Sequence, residues 1–297
     1  MKIGLLCLPC TVRAAYDIAT KSTEDEELQE RIITESIKWL IELKNIREMN
    51  PTILGTQVCR IARRLTGNPD PFHHLKALSN RVAMEVAPAL KREIEAASSP
   101  EEAFRLAVMG AICGNTIDFE VEGYKPSLED LKKTLRVCLR GSLHVDDTKT
   151  LMGRLSTSRR TLYLLDNAGE IAFDKLLIEV ITENYPTKIW AVVKEAPVLN
   201  DATMEDAEQV GLNRIVDVVT TGSDHVGLNL EEASDEFKQL LKGADLIIAK
   251  GQGYYESLTE VENLIQAPIC YILRAKCKLV AESLGVPVQT NIAKLKI

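Results

Sequence analysis

The spacing of apolar residues changes part-way along the chain. From residue 11 to about 140 they recur every three or four positions, in TVRAAYDIAT, LQERIITESIKWLIELKNI, ILGTQVCRIARRL, HLKALSNRVAMEVAPALKREIEAA, EEAFRLAVMGAIC and SLEDLKKTLRVCLR. Each stretch predicts an amphipathic helix. Pro51, Pro69, Pro71 and Pro100 punctuate them, and Ser99-Pro100-Glu101-Glu102 has the form of a helix start. No strand pattern appears in this half. From about residue 160 short β-branched runs alternate with helical patterns, at Thr161–Leu165, Lys188–Val193, Arg214–Thr220, Asp245–Ala249, Pro268–Leu273 and Pro287–Gln289. Such alternation implies βαβ units and a mostly parallel sheet covered on both faces. The polar stretch SLHVDDTKTLMGRLSTSRR separates the two textures. The expected fold class is α/β, with a helical domain over residues 1–155 and an α/β/α domain over 156–297 that carries the site.

The strand ends carry the chemistry. In an open parallel sheet all carboxyl ends lie along one edge, and ligands bind in the crevice there. TLYLLDNAGE brings Asp166 and Asn167 to that edge, KEAPVLNDAT brings Asp201, and DLIIAKGQGYYE brings Lys250 and Gly251. Asp166, Asn167 and Asp201 offer only oxygen donors, which suit a hard divalent cation such as Mg²⁺ or Mn²⁺; zinc favours His or Cys. Gly169 lets the chain turn sharply into the helix begun by Glu170, whose first N–H groups and positive dipole end can receive an anion. Gly251 and Gly253 free the backbone to approach a ligand, and Lys250 supplies a point charge for phosphate. The next strand end, VVTTGSDHVG, adds Ser223 as a phosphate-side candidate. Taken singly, each of these is ordinary cap or turn chemistry. Their falling at one kind of position points to a metal-dependent phosphate site, with Asp166 and Lys250 as the catalytic candidates.

Composition narrows the setting. At 297 residues with 45% hydrophobic content, the chain is long enough for buried cores. The formal charge of −7 with scattered basic residues leaves no electrostatic footprint for nucleic acid. No apolar run reaches the length of a membrane span and MKIGLLCLPC is too short for a signal peptide, so a cytoplasmic protein without a membrane partner is expected. Seven cysteines argue against a secreted disulfide framework. Cys7-Leu-Pro-Cys10 admits a redox dithiol, half a zinc site or small buried residues at a helix start; the helical context favours packing or modest redox sensitivity. In the helical half, GNPDPFHHLKALSN and CGNTIDF stand out; Gly114-Asn115 after a helix is ordinarily a C-cap, and Asn115 and Asp118 are second-tier candidates.

The order CLPC, DPFHHLKALSN, CGNTIDF, LLDNAGEIAFD, NDAT and KGQGYYE resembles the family catalogued as domain of unknown function 89, metal-dependent damage-control phosphatases. The N-terminal C-x-x-C is similar to its prokaryotic subgroup. The resemblance spans nearly the whole chain. It implies a helical N-terminal domain packed on a Rossmann-like α/β/α domain, and hydrolysis of small phosphorylated metabolites, including sugar phosphates, with Mg, Mn, Co or Ni as the divalent metal. Its metal ligands match Asp166, Asn167 and Asp201, its phosphate-side lysine matches Lys250, and an Asn and Asp that approach substrate match Asn115 and Asp118. One departure is Tyr254, which stands where a KGxGN-type turn has Asn.

Two other classes compete. A Rossmann-type cofactor enzyme such as a methyltransferase calls for G-x-G-x-x-G after the first strand, which DNAGEIAF does not provide. A non-catalytic metabolite-binding or redox-sensing protein would centre on Cys7 and Cys10. The substrate's identity and the oligomeric state, a homo-oligomer included, stay open at the level of sequence.

Overall fold

The computed structural model describes residues 1–114 and 128–297. The helical stretches of the first half become α1 (Cys7–Ser22), α2 (Glu26–Glu42), α3 (Thr52–Thr66), α4 (His73–Glu95), α5 (Pro100–Cys113) and α6 (Leu128–Leu139). Local chemistry starts them where expected: Asp25 accepts the Glu27 N–H at 2.9 Å ahead of α2, and the Ser99 hydroxyl accepts the Glu102 N–H at 3.2 Å ahead of Pro100. Among the described residues no helix is long and apolar enough to cross a membrane. Cys113 at the end of α5 is disulfide-bonded to Cys138 on α6, 25 positions on; the other five cysteines are free thiols. The sulfur chemistry is thus one bridge rather than a framework.

The second half supplies β1 (Leu143–Asp146), α7 (Thr148–Leu155), β2 (Arg160–Leu164), α8 (Ile171–Asn184), β3 (Lys188–Val193), α9 (Met204–Gln209) and β4 (Asp217–Thr220). It continues with α10 (Asp235–Lys242), β5 (Leu246–Lys250), α11 (Gly251–Leu258), β6 (Ile269–Ala275), α12 (Lys278–Leu284) and β7 (Thr290–Lys296). The strand order is β1-β7-β6-β5-β2-β3-β4, and only the β6–β7 pair is antiparallel. The fold is the expected α/β class with a mostly parallel sheet. Three strands depart from the sequence pattern: β4 begins at Asp217 rather than Arg214, because Leu212–Arg214 form a 3-10 turn. β1 precedes residue 155 and pairs with β7, and the final strand lies at Thr290–Lys296 rather than at Pro287–Gln289.

Both sheet faces are buried, as parallel strands require. Alternation along β2 and beyond it sends Tyr163 and Leu165 to one core and Leu162 and Leu164 to the other. The first core also contains Leu90 of α4, Phe104 and Val108 of α5, Leu135 of α6 and Phe173 of α8. Helices from the first half therefore form one layer of the sandwich, and a continuous core crosses residue 155. α1, α2 and α3 make a smaller cluster around Ile18, Ile32 and Val58, which Val198 joins from the loop after β3.

Candidate active site

β2 sits between β5 and β3, where the chain leaves the sheet in opposite directions and a crevice opens at the carboxyl ends. Past β2 the backbone turns through Asp166, Asn167, Ala168 and Gly169 into α8, with Gly169 at φ 80°. The loop after β3 folds back onto this turn. The Ala202 N–H donates to the Asp166 carbonyl at 2.8 Å, the Ala168 N–H to the Asn200 carbonyl at 2.9 Å, and the Lys194 N–H to the Ala202 carbonyl at 2.9 Å. Asn167 and Asp201 pair as an isolated antiparallel bridge. These bonds bring Asp166, Asn167 and Asp201 together although 34 positions separate Asn167 from Asp201 in the sequence.

β5 closes the crevice from the other side. Gly251 has φ 75°, and a Cβ built there would lie 1.9 Å from Asp166 Oδ2. The Asp166 carboxylate thus rests directly against the Gly251 backbone, a position only glycine permits. The Asn167 amide donates to Asp166 Oδ2 at 3.0 Å. Gly253, in the first turn of α11, abuts the Gly227 backbone and its carbonyl accepts the Ser257 hydroxyl at 2.9 Å.

Lys250 is fully buried, and its ammonium turns into the protein. It donates to the Ala111 carbonyl of α5 at 2.9 Å and to Glu170, and lies 2.8 Å from Asp174 Oδ1, which also accepts the Tyr163 hydroxyl at 2.7 Å. Glu170 and Asp174 stand four apart on α8, so both carboxylates share one helix face. Burial opposes the Lys250 charge, but Asp174 and Glu170 outweigh it and hold the ammonium above its ordinary range. Burial likewise pushes Asp174 up to about 7 despite Lys250. Glu170 Oε2 and Asp174 Oδ2 are buried with no hydrogen-bond partner among the described residues.

A second buried ammonium, which the sequence reading passed over, belongs to Lys194. It donates to the Gly227 carbonyl and to the Tyr254 hydroxyl at 3.2 Å, lies 4.2 Å from the centre of the Tyr254 ring, and is 3.6 Å from Asp201 Oδ2. Tyr254, the departure from the family pattern, is 1% exposed and lies against this lysine. Burial pulls the Lys194 charge down while Asp201 and Asp166 support it. The signal was present: WAVVK and LIIAK both end a buried strand in lysine.

Ser223 goes elsewhere. Its hydroxyl donates to Glu232 at 3.2 Å and accepts the His225 N–H at 3.0 Å, beside the ion pairs of Arg60 with Asp224 and Glu232. Asn115 and Asp118 lie outside the described residues. Cys7 and Cys10 are at the start of α1, with burial pushing the Cys7 thiol up.

The donor set fits a divalent cation. Burial, then Glu170 and Asp201, push the Asp166 carboxyl well above its usual range, and burial raises Asp201 to about 6 against the pull of Lys194. Asp166, Glu170, Asp174 and Asp201 thus crowd around the buried ammoniums of Lys194 and Lys250, with Lys276 and Lys76 adding positive charge toward Asp166 and Asp201, and a cation would further offset the carboxyl groups that burial raises. Among the described residues no three His, Cys, Asp or Glu side chains converge as a metal cage. The Asn167 amide oxygen would complete an oxygen-only set beside Asp166 and Asp201.

A profile of the damage-control phosphatase ARMT1-like domain matches residues 5–292. An uncharacterised protein of Methanocaldococcus jannaschii is 40% identical, over 98% of this chain and 95% of that one. A protein of Pyrococcus horikoshii named a damage-control phosphatase is 37% identical over 97% of this chain and 96% of its own length. One of the same name from Archaeoglobus fulgidus is 36% identical over 99% of each. The crystal structure of a DUF89 family protein from Pyrococcus horikoshii superposes with a TM-score of 0.89 at 36% identity, covering 99% of this chain and 98% of that one.

Proposed function

The chain belongs to the damage-control phosphatase ARMT1-like family, and from that premise we propose that it hydrolyses phosphate monoesters of small metabolites, sugar phosphates among them, with a divalent cation held by Asp166, Asn167 and Asp201. The observation that carries this reading is that backbone hydrogen bonds tie the Asp166–Asn167 turn to the Asp201 loop at the carboxyl ends of the strands, with the buried Asp201 carboxylate close enough to raise the Asp166 carboxyl. When bound, Mg²⁺, Mn²⁺, Co²⁺ or Ni²⁺ supplies Lewis-acid charge at a phosphoryl oxygen.

The chain's own residues set the geometry. Asn167 orients Asp166 through its amide, and Gly251 leaves room for that carboxylate. Lys194 holds Asp201 from behind, and Lys250 fixes Glu170 and Asp174 on α8. Both lysines are fully buried, so they act by preorganising the acidic groups before substrate arrives. The test is release of inorganic phosphate from a panel of phosphate monoesters by chelator-stripped protein, with each of the four cations added in turn. Turnover that appears only on adding a cation supports the reading; full activity in chelator, or none on any ester with any cation, refutes it.

A further inference from the structure

The two loops that carry Asp166, Asn167 and Asp201 are also gripped from outside the sheet. α4 presents Lys76 and Asn80 one turn apart on a single face, 3% and 0% exposed. Asn80 Oδ1 accepts the Gly169 N–H at 2.6 Å, and its amide nitrogen donates to Asp206 Oδ1 and Gln209 Oε1, each at 2.8 Å. These partners fix the amide's orientation, since a backbone N–H can only donate and a carboxylate only accepts. The other Asp206 oxygen accepts the Thr203 N–H and hydroxyl, both at 2.8 Å, and Lys76 Nζ lies 3.3 Å from it and 2.9 Å from Asp70. Gly169 closes the turn that holds Asp166 and Asn167, and Thr203 follows Asp201 by two residues. One amide on α4 therefore joins both loops.

We propose that Asn80 is a positioning residue: through Gly169 on one side and Asp206 on the other, it sets the separation of Asp166 and Asn167 from Asp201. The proposal rests on the phosphatase reading above. It also gives DPFHHLKALSN a task, because Asp70, Lys76 and Asn80 of that segment are the residues in the network. A fully buried, fully bonded amide transmits position well, since any displacement breaks bonds that no water replaces.

The experiment combines amide hydrogen exchange at Gly169 with steady-state kinetics on the best phosphate monoester at saturating Mn²⁺. In the wild-type protein the Gly169 amide exchanges as slowly as the amides of α8. Asn80→Leu keeps the volume and removes the acceptor, so exchange at Gly169 accelerates at least about tenfold, the effect of one lost hydrogen bond. Its kcat falls about 10–100-fold, as on losing an outer partner of a ligand-bearing loop, while KM moves less than threefold. Asn80→Asp keeps the acceptor for Gly169 but sets a second carboxylate oxygen against Asp206 Oδ1 and Gln209 Oε1, so Gly169 stays protected while kcat falls about as far as in the Leu variant, since the arm to Asp206 is lost. Fast exchange at Gly169 in the wild type overturns the proposal, and this arm needs no variant to fold. A fall in kcat in Asn80→Leu with Gly169 exchange unchanged assigns Asn80 to packing and overturns it too. If Gly169 is protected through Asn80 but no ester is turned over, it is the phosphatase reading that fails.

Discussion

Replacing Gly251 by alanine probes the contact on which the candidate site is built. The residue has φ 75°, and a Cβ there meets Asp166 Oδ2 at 1.9 Å and Cγ at 2.2 Å. The left-handed backbone costs a non-glycine residue about 1–3 kcal/mol. The steric consequence matters more. Atoms do not sit within 3.0 Å of a Cβ, and going from 1.9 to 3.0 Å means a retreat of about 1.1 Å for the carboxylate. Asp166 cannot absorb this locally, because the Ala202 N–H holds its carbonyl and the Asn167 amide holds its Oδ2. A displacement of about 1 Å in a reacting constellation costs roughly 100-fold in turnover. The fold survives, since the local cost is below the 5–15 kcal/mol or so that stabilises a typical domain. Gly253→Ala is the matched control: its Cβ meets Val226 Cγ1 at 3.2 Å and the Gly227 nitrogen at 3.3 Å, with no positive φ. Steady-state kinetics with excess cation, alongside melting curves, should show Gly251→Ala folded with kcat about 100-fold down and Gly253→Ala affected far less. A Gly251→Ala protein with near-normal kcat, or equal damage from both, would refute the reasoning.

Three further outcomes are expected. Lys250→Met strips the counter-ion from Glu170 and Asp174, so stability in denaturant should drop by about 3–5 kcal/mol; an unchanged midpoint would mean the ammonium is not what holds them. Burial pushes Glu256 up to about 7 from 4.5, against the pull of the N-terminal ammonium. The native protein then binds the extra proton, so this group's contribution is present below about pH 4.5 and is lost as pH rises through about 7. Glu256→Gln should flatten that decline and gain about 1–3 kcal/mol at pH 8, and a stability profile parallel to wild type would contradict it. Reducing Cys113–Cys138, which closes a loop across 25 positions, should lower stability by about 2–4 kcal/mol in denaturant titrations with and without reductant; coincident curves would count against it.

The parts of this architecture legible in the sequence are those where local pattern and tertiary burial agree. TLYLL, KIWAVV and LIIAK read as strands because both faces of the sheet are covered and apolar side chains are needed at every position. β1 was not legible: LHVD is four residues inside a polar stretch, and it becomes a strand only by pairing with β7. The short run Pro287–Gln289 read as the last strand, but pairing with β6 begins at Thr290, and strand direction leaves no mark on composition. That Asp166, Asn167, Asp201 and Lys250 fall at or beyond strand ends could be read from the sequence pattern alone. The direction of the Lys250 ammonium could not, because it depends on Glu170 and Asp174 from α8 and on the Ala111 carbonyl from α5. Lys194 and Asn80 were hidden for the same reason: their partners lie 7 and 126 positions away, at Asp201 and Asp206.

The most direct test of the central claim is an equilibrium titration of chelator-stripped protein with Mn²⁺, followed by its paramagnetic resonance and by phosphate release in the same samples. The wild type should take up one ion per chain with turnover rising in proportion, and Asp201→Asn and Asp166→Asn should lose both together while melting cooperatively. Undiminished Mn²⁺ uptake and turnover in those variants would place the cation elsewhere and contradict the account.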